Sequence, residues 1–177
     1  MLNQDFAKIT KEFIDKNEFD AVVHLAAFVS IPESIDFPQK YFENNERGTF
    51  DLTQTLLKTK CQPALVYASS PEVYGDPQRV PMDENHALEP KSTYSVTKLS
   101  AEKHCMSLWE WYKYPAVAIR NFNTYGENQN VWGYSAVIPA FIDAALKNAP
   151  LKIEGDGTQT RDFLYVKDAV EAYWSVM

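Results

Sequence analysis

The sequence predicts an α/β fold in which a parallel sheet is covered by helices on both faces. Two observations carry this prediction. Short apolar runs typical of buried strands recur along the chain, and stretches with apolar residues at helical spacing separate them. Alternating helices and strands favour a parallel sheet, because each crossover helix returns the chain to the same end of the sheet and packs on a face. In such sheets ligands bind beyond the carboxyl ends of the strands.

The first part of the chain holds two helix-to-strand steps. The predicted helices cover residues 2–14 and 41–60, and the predicted strands cover residues 19–27 and 64–70. The second strand follows Pro63, which is typical of the boundary between two elements.

The rest of the chain continues the alternation after a loop at residues 75–90 that is rich in Pro, Asp and Asn. Ser92 is suited to cap a long helix over residues 92–112. The further predicted elements are a strand at 116–122, a loop at 123–135, a helix at 139–147, strands at 151–155 and 163–166, and a helix at 167–177. No repeat, low-complexity tract or clear domain boundary divides the chain.

Composition narrows the class of protein. Of the 177 residues 45% are apolar, enough to bury a core, and the net charge of −7 disfavours a nucleic-acid partner because it repels phosphate. Cys61 and Cys105 are too few for a disulfide framework and are typical of a reducing compartment. The sequence shows no signal-peptide pattern and no run of the ~18 apolar residues that a membrane span needs. We therefore expect a cytoplasmic protein with a small-molecule substrate, no membrane partner and no metal site.

Tyr94 and Lys98 form the strongest chemical signal. They stand four residues apart in the predicted helix over 92–112, so they share one face and the ammonium lies beside the phenol. A cation within ~4–6 Å stabilises a phenolate and lowers the pKa of a tyrosine from its usual value of about 10, which would make Tyr94 a base. An amphipathic surface pair has the same spacing, so the pattern alone leaves both interpretations open.

Ser70 and Glu72 favour the catalytic interpretation. They belong to SSPEVYG, residues 69–75, which follows the second predicted strand. A hydroxyl and a carboxylate therefore stand at the carboxyl end of the sheet, where an open α/β sheet binds its ligand. We expect the hydroxyl, the phenol and the ammonium to converge there.

Seven segments resemble, in the same order, motifs of the extended short-chain dehydrogenases that act on nucleotide sugars. They are HLAA (24–27), NERGT (45–49), SSPEVYG (69–75), YSVTK (94–98), RNFNTYG (120–126), AVIPAFI (136–142) and GDGTQTRDFLYVKD (155–168). The resemblance implies a single Rossmann-like NAD(P)-binding domain over residues 1–177, with 126–165 contributing to the start of the lobe that binds the sugar nucleotide. It implies NAD as the cofactor and a nucleotide sugar as the substrate.

The resemblance also assigns roles to individual residues. Ser70 matches the hydroxyl that bonds the sugar, Tyr94 the base that takes its proton, and Lys98 the residue that lowers the tyrosine pKa and holds the nicotinamide ribose. The implied cofactor-binding residues are His24, Leu25, Ala26, Ala27, Asn45, Ala68, Ser69, Tyr94, Lys98, Asn121 and Phe122. The implied substrate-binding residues are Ser70, Asn123, Val137 and Arg161, the last as a clamp on the diphosphate. A satisfied buried amide is an equal alternative for Asn45, and a surface ion pair is the alternative for Arg161.

The glycine-rich motif that cradles a dinucleotide pyrophosphate does not occur in these 177 residues, whose six glycines are scattered. By the resemblance, the chain begins two βαβ units, or ~60 residues, late and ends before the rest of the sugar-binding lobe. We therefore expect a partial domain that lacks the first βαβ units and the C-terminal lobe.

Three functions remain open. The first is epimerisation of a nucleotide sugar through a 4-keto intermediate, as in UDP-sugar 4-epimerases. The second is a 4,6-dehydratase or decarboxylase that uses Glu72 as the base at C5, although Pro71 stands where many dehydratases carry a proton-donating Asp. The third is an inactive fragment or interaction module, because the glycine motif is missing. The resemblance further implies a homodimer formed through the helices at 41–60 and 92–112.

Overall fold

The computed structural model describes residues 5–130, 136–153 and 155–177. The chain forms two compact units, one comprising residues 1–121 with Tyr173–Met177 and the other comprising Phe122–Ala172. Both contain parallel strands with helices between them, so the predicted α/β fold is confirmed.

The first unit is built on a three-stranded parallel sheet. Its strands are β1 (Ala21–His24), β2 (Ala64–Ser69) and β3 (Ala116–Arg120), and β2 lies between the other two. Its helices are α1 (Lys11–Asn17), α2 (Ile31–Asp36), α3 (Pro38–Tyr41), α4 (Gly48–Leu56) and α5 (Thr93–Tyr112). A π-helical segment, Phe42–Arg47, joins α3 to α4, and single 3₁₀ turns occupy Phe6–Lys8 and Pro71–Tyr74.

The core of this unit lies around β2, whose central residues Leu65, Val66 and Tyr67 are fully buried. The cluster joins side chains of α1, α4, α5 and β2 with Tyr114 of the turn after α5. Its members are Ile14, Leu52, Leu56, Leu65, Tyr67, Ala101, Cys105, Leu108 and Tyr114. Burial of this apolar surface is the main force that holds α4 and α5 against the sheet.

Helix α5 begins where the sequence predicts. Ser92 accepts a bond from the Ser95 backbone N–H at 3.1 Å, and Ser95 Oγ accepts one from the Ser92 N–H at 2.9 Å, which completes a reciprocal cap. The helix ends at Lys113, whose left-handed backbone (φ 54°) turns the chain toward β3. The cap fixes the start of the helix and hence the direction of Tyr94 and Lys98.

The second unit contains a two-stranded parallel sheet. Its elements are β4 (Asn123–Tyr125), α6 (Val137–Leu146), β5 (Phe163–Tyr165) and α7 (Val166–Ser175), and the last residues of α7 belong to the first unit. Asn123 pairs with Phe163 at the start of both strands.

One strand prediction and one loop prediction need correction. The predicted strand at 151–155 is wrong, since residues 151–153 are exposed and not in a strand; Glu154 lies outside the described residues. The predicted loop at 123–135 begins with β4, and residues 131–135 lie outside the described part. Strand β4 forms because β5, some forty residues on, supplies a parallel partner that the polar sequence NTY does not reveal.

The predicted first helix is divided into two elements. Asp5 accepts a bond from the Ala7 N–H at 3.1 Å and starts the turn Phe6–Lys8, and Thr10 accepts one from the Phe13 N–H at 3.3 Å and starts α1. Two local caps therefore interrupt a continuous apolar period. Residues 1–4 of the prediction lie outside the described residues.

Candidate active site

Tyr94 and Lys98 project from α5 toward the carboxyl end of β2. Both side chains are buried, with 8% and 4% of their surface exposed. The Lys98 ammonium donates a hydrogen bond to the Ala68 carbonyl of β2 and lies 4.5 Å from the centre of the Tyr67 ring. Tyr94 meets the ring of Tyr41 edge-on at 6.4 Å. The surface-pair interpretation of this motif is therefore wrong.

Burial lowers the pKa of Lys98 to about 8, although the electrostatic effects of Cys105 and Glu102 oppose that shift. The ammonium is thus still charged at neutral pH but loses its proton more easily than an exposed lysine. A charged group in a site of low polarity acts strongly on its neighbours. Lys98 can therefore stabilise an anion near the end of β2.

Ser70 follows β2 directly and begins the turn Pro71–Tyr74. Its Oγ accepts a bond from the Glu72 N–H at 3.3 Å, and the side chain is buried. Glu72 lies in the first turn and is exposed. The turn closes at Gly75, whose backbone (φ 69°) and close approach to the Glu89 carbonyl leave no room for a Cβ atom. Ser70 therefore sits on a rigid turn, two residues after the carbonyl that binds Lys98.

A buried polar network that the sequence analysis missed lies beside this turn. Glu102 of α5 accepts a bond from Ser69 Oγ at 2.6 Å and two bonds from Arg120 of β3, at 2.6 and 3.0 Å. Arg120 also donates to the Tyr74 hydroxyl at 2.8 Å. The signal available in the sequence was the position of Glu102, four residues after Lys98 on the same helical face.

The histidine expected beside the cofactor points into the core. The His24 ring contacts those of Phe6 and Tyr67, and its Nε2 lies 2.9 Å from Thr49 Oγ1. Because Thr49 donates its own proton to the Asn45 carbonyl at 2.6 Å, Nε2 must be the donor to Thr49. Burial, together with the charge of Lys98, lowers the His24 pKa to about 4, so the ring is neutral.

The backbone of Leu25, Ala26 and Ala27 continues from the carboxyl end of β1. The side chains of Leu25 and Ala26 are exposed, and that of Ala27 is half-buried. These three residues therefore border the same end of the sheet as Ser70.

Asn45 is a structural amide that fixes the loop after β1. Its Oδ1 accepts the Phe28 N–H and its Nδ2 donates to the Phe28 carbonyl, both at 2.9 Å. The Asn44 side chain donates a second bond to the same Oδ1, the third for the Asn45 side chain. The side chain is almost fully buried and its hydrogen bonds go to protein atoms, so the structure favours the alternative of a satisfied buried amide.

Asn121 lies directly after β3. Its Nδ2 donates to the Tyr173 hydroxyl at 2.7 Å, whereas its buried Oδ1 has no hydrogen-bond partner among the described residues. Such a buried acceptor normally has a partner, and a water molecule or a donor group of a ligand can supply it.

The remaining predicted residues lie in the second unit. Phe122 is half-buried, and Asn123 Nδ2 donates to the Asp162 carbonyl at 2.9 Å. Arg161 is exposed and donates to the Thr160 carbonyl at 2.8 Å. Val137 is exposed at the start of α6, beside a pocket of about 340 Å³ whose walls include Tyr125, Ile138, Pro139, Ile142 and Leu146.

Two features are absent from residues 5–130, 136–153 and 155–177, the described part of the chain. No cluster of three or more His, Cys, Asp or Glu side chains is arranged to hold a metal ion. No helix in the same ranges is both long and apolar enough to cross a bilayer.

Comparison with known proteins assigns the family. A sequence model of the NAD dependent epimerase/dehydratase family matches residues 3–177. The chain belongs to this family. Its members are NAD-dependent enzymes, and the parallel α/β architecture agrees with their Rossmann-like fold. The resemblance to dehydrogenases that act on nucleotide sugars is thereby confirmed.

Individual family members differ in the reaction they catalyse. A putative UDP-glucose 4-epimerase of Methanocaldococcus jannaschii is 35% identical over 161 residues, which cover 91% of this chain and 53% of that protein. The dTDP-D-glucose 4,6-dehydratase of Homo sapiens is 34% identical over 167 residues, which cover 94% of this chain and 47% of the relative.

A solved structure of UDP-N-acetylglucosamine 4-epimerase from Methanobrevibacter ruminantium M1, in complex with UDP-N-acetylmuramic acid, is also similar. It has a TM-score of 0.88 and 35% identity over 97% of this chain and 55% of that chain. The chain thus spans about half the length of the family members it matches.

Proposed function

We propose that the protein carrying this chain epimerises a nucleotide sugar at C4 with NAD, through a 4-keto intermediate. The observation that supports this most directly is the meeting of α5 with the carboxyl end of β2. Lys98 is buried there, shares a helical face with Tyr94 and donates to the carbonyl of Ala68, which precedes Ser70 by two residues. Relatives that act on nucleotide sugars support the substrate class.

Proton transfer is proposed for Tyr94. The Lys98 ammonium favours the phenolate, which accepts the proton of the sugar 4-hydroxyl, while the Ser70 hydroxyl bonds the same oxygen and orients it. When the ketone is reduced again, Tyr94 returns the proton. The same residue thus serves as base and then as acid, and epimerisation needs no second proton donor.

Residues of the first unit fit the nicotinamide end of NAD. The unpartnered Asn121 Oδ1 can accept a hydrogen bond from a carboxamide, and Lys98 can donate to a ribose hydroxyl. Bound NAD supplies the hydride acceptor for the reaction. Leu25 to Ala27, Ala68 and Ser69 are proposed to border it. Phe122, which belongs to the second unit, is proposed as a further cofactor-binding residue.

Residues of the second unit are proposed to bind the nucleotide end of the substrate. Arg161 carries an exposed planar fork of donors, which suits a diphosphate, and Asn123 adds an amide. Val137 is proposed to contact the nucleotide.

Glu72→Gln distinguishes epimerisation from the alternative of dehydration or decarboxylation. In active protein carrying these 177 residues, we expect the variant to epimerise within about threefold of the unchanged protein, because C4 chemistry does not use this carboxylate. If Glu72 is the C5 base, its loss should lower dehydration by about 100-fold or more. Proton NMR of the nucleotide-sugar products measures both reactions.

The control for Glu72 is Asp76→Asn, which removes another exposed carboxylate of the same loop. Activity of this variant should be unchanged. A loss of epimerisation in Glu72→Gln with an unaltered fold would instead assign Glu72 to substrate binding.

The alternative of another class is an inactive or interaction module, supported by the missing glycine motif. The backbone donors of that motif and the adjoining helix dipole normally hold the pyrophosphate. We therefore expect these 177 residues, expressed alone, to bind NAD with a dissociation constant of about 1 mM or weaker and to show no turnover. Isothermal titration measures the affinity. A micromolar constant would mean that other groups in this chain hold the pyrophosphate.

Self-association through α4 and α5 is a further part of the proposal. Phe42, Phe50 and Val96 are exposed on the three packed elements, the π-helical segment, α4 and α5. Cys105 and Leu108 of α5 belong to the core of the chain and contribute nothing to such a surface. We expect a dimer by light scattering at micromolar concentration and a monomer for Phe50→Asp. A monomeric unchanged chain would contradict the dimer.

A further inference from the structure

We propose that Glu102 is a positioning residue for the candidate active site, because it locks the strand end before Ser70 and holds negative charge beside Lys98. The inference rests on the proposed function and extends it to a residue that takes no part in proton transfer. Its basis is the buried network of Ser69, Glu102, Arg120 and Tyr74.

The geometry of α5 fastens this helix to β2 beside Ser70. Tyr94, Lys98 and Glu102 follow at intervals of four residues and therefore share one helical face. Two of them bond consecutive residues of β2: Lys98 donates to the Ala68 carbonyl, and Glu102 accepts from Ser69 Oγ at 2.6 Å. The helix is thus fastened to the strand at the two positions directly before Ser70.

Glu102 itself is held in one orientation by its hydrogen bonds. Both of its oxygens accept bonds from the Arg120 guanidinium, which also holds the Tyr74 hydroxyl at the end of the Ser70 turn. Burial would raise the pKa of Glu102, but the bonds from Arg120 and Ser69 outweigh this and lower it. The carboxylate therefore stays charged and keeps one orientation, which fixes the strand end and the turn together.

Glu102 also supplies the negative charge that faces the Lys98 ammonium. Besides Tyr94, the titratable groups around the ammonium are His24 from β1, Tyr67 from β2, and Cys105 and Glu102 from α5. The His24 ring is neutral, and burial raises the pKa values of the Tyr67 phenol and the Cys105 thiol, the latter to about 12. Of these four groups, Glu102 alone is charged at neutral pH, and it supports the protonated form of Lys98.

A buried ion pair adds little stability compared with well-packed apolar side chains of the same volume. Glu102 therefore contributes to the site mainly through the pKa of Lys98 and the placement of Ser70, and little through the stability of the fold. A purely structural pair would alter the melting temperature but leave the Lys98 pKa unchanged. This difference allows the two roles to be separated.

The experiment compares Glu102→Gln with Ser100→Ala, which removes a hydrogen bond from α5 to Glu46 away from the network. The Lys98 pKa is measured by NMR of ¹³C-labelled lysine in the 177-residue protein. We expect it to fall below the value of about 8 in Glu102→Gln and to stay unchanged in Ser100→Ala. Glu102→Asp, which restores the charge, should recover most of the fall.

The second measurement uses active protein carrying the chain. We expect Glu102→Gln to lower kcat about tenfold with KM for the nucleotide sugar within about twofold, because the substrate contacts remain. The alkaline limb of the pH profile should move to lower pH, since Lys98 then loses its proton earlier.

An unchanged Lys98 pKa in Glu102→Gln, or an equal fall in Ser100→Ala, overturns the proposal. If Glu102→Gln does not fold, the paired variant Glu102→Gln with Arg120→Gln leaves no unpaired buried charge and takes the same test. If the unchanged protein shows no turnover of nucleotide sugars, the proposed function fails, while the pKa comparison still decides the role of Glu102.

Discussion

Replacing Tyr94 with Phe should lower turnover of the nucleotide sugar by about 10³-fold or more while the fold and substrate affinity are retained. The phenol is the group that shares a face with the buried Lys98 ammonium, and general acid and base catalysis by one positioned side chain contributes about 10²–10⁴-fold. The change removes one oxygen atom and keeps the ring contact with Tyr41. The measurement is kcat and KM in active protein carrying the chain.

Tyr67→Phe is the matched control for Tyr94→Phe. Tyr67 is a second buried tyrosine of the same region, and its hydroxyl has no hydrogen-bond partner among the described residues. Its removal should leave kcat unchanged and stabilise the fold slightly, since an unpaired buried hydroxyl is lost. Turnover by Tyr94→Phe within tenfold of the unchanged protein would mean that another group accepts the proton.

Lys98→Met should abolish the chemistry and yet make the 177-residue fold more stable at neutral pH. The pKa of Lys98 is about 8 in the folded protein, whereas that of an unperturbed lysine is 10.5. The difference corresponds to a cost of about 3 kcal/mol for holding the charged ammonium inside the folded protein. Methionine has a similar length and no charge, but it leaves the Ala68 carbonyl unpaired at a cost of about 1 kcal/mol. A net gain of about 2 kcal/mol is expected.

The stability gain of Lys98→Met should depend on pH. Because the folded pKa is depressed, the cost is fully present below pH 8 and disappears as pH rises from 8 to 10.5, where folded Lys98 has already lost its proton. The advantage of Lys98→Met in urea unfolding should therefore shrink over that interval. Lys103→Met on the exposed side of α5 should show no such trend. A variant less stable than the unchanged chain at pH 7 would contradict the argument.

Local signals allowed much of the candidate site to be predicted from the sequence. The Ser92 cap and the four-residue spacing of Tyr94 and Lys98 determine α5 without reference to the rest of the fold. A comparable local signal at Ser30 and Glu33 was overlooked: Ser30 accepts a bond from the Glu33 N–H and starts α2. The helix α2 could therefore have been predicted.

Features that depend on distant partners could not be predicted in this way. The role of Glu102 depends on its hydrogen bonds with Ser69 of β2 and Arg120 of β3, both distant from it in the sequence. The short strand β4 exists because β5 pairs with it. His24 ends an apolar run, and such a run does not reveal which strand residues face the core, so its contact with Thr49 was unexpected.

The fastening of α5 to β2 has a consequence for how this part of the protein can vary. Each residue of a helix turns the chain by about 100°. A single insertion or deletion between Tyr94 and Glu102 would therefore swing one side chain away from its neighbours, whatever residue was added. Exposed residues such as Val96 and Lys103 can be replaced by residues of other types. The stretch from Tyr94 to Glu102 can thus diverge in composition among descendants of this protein but is locked in length.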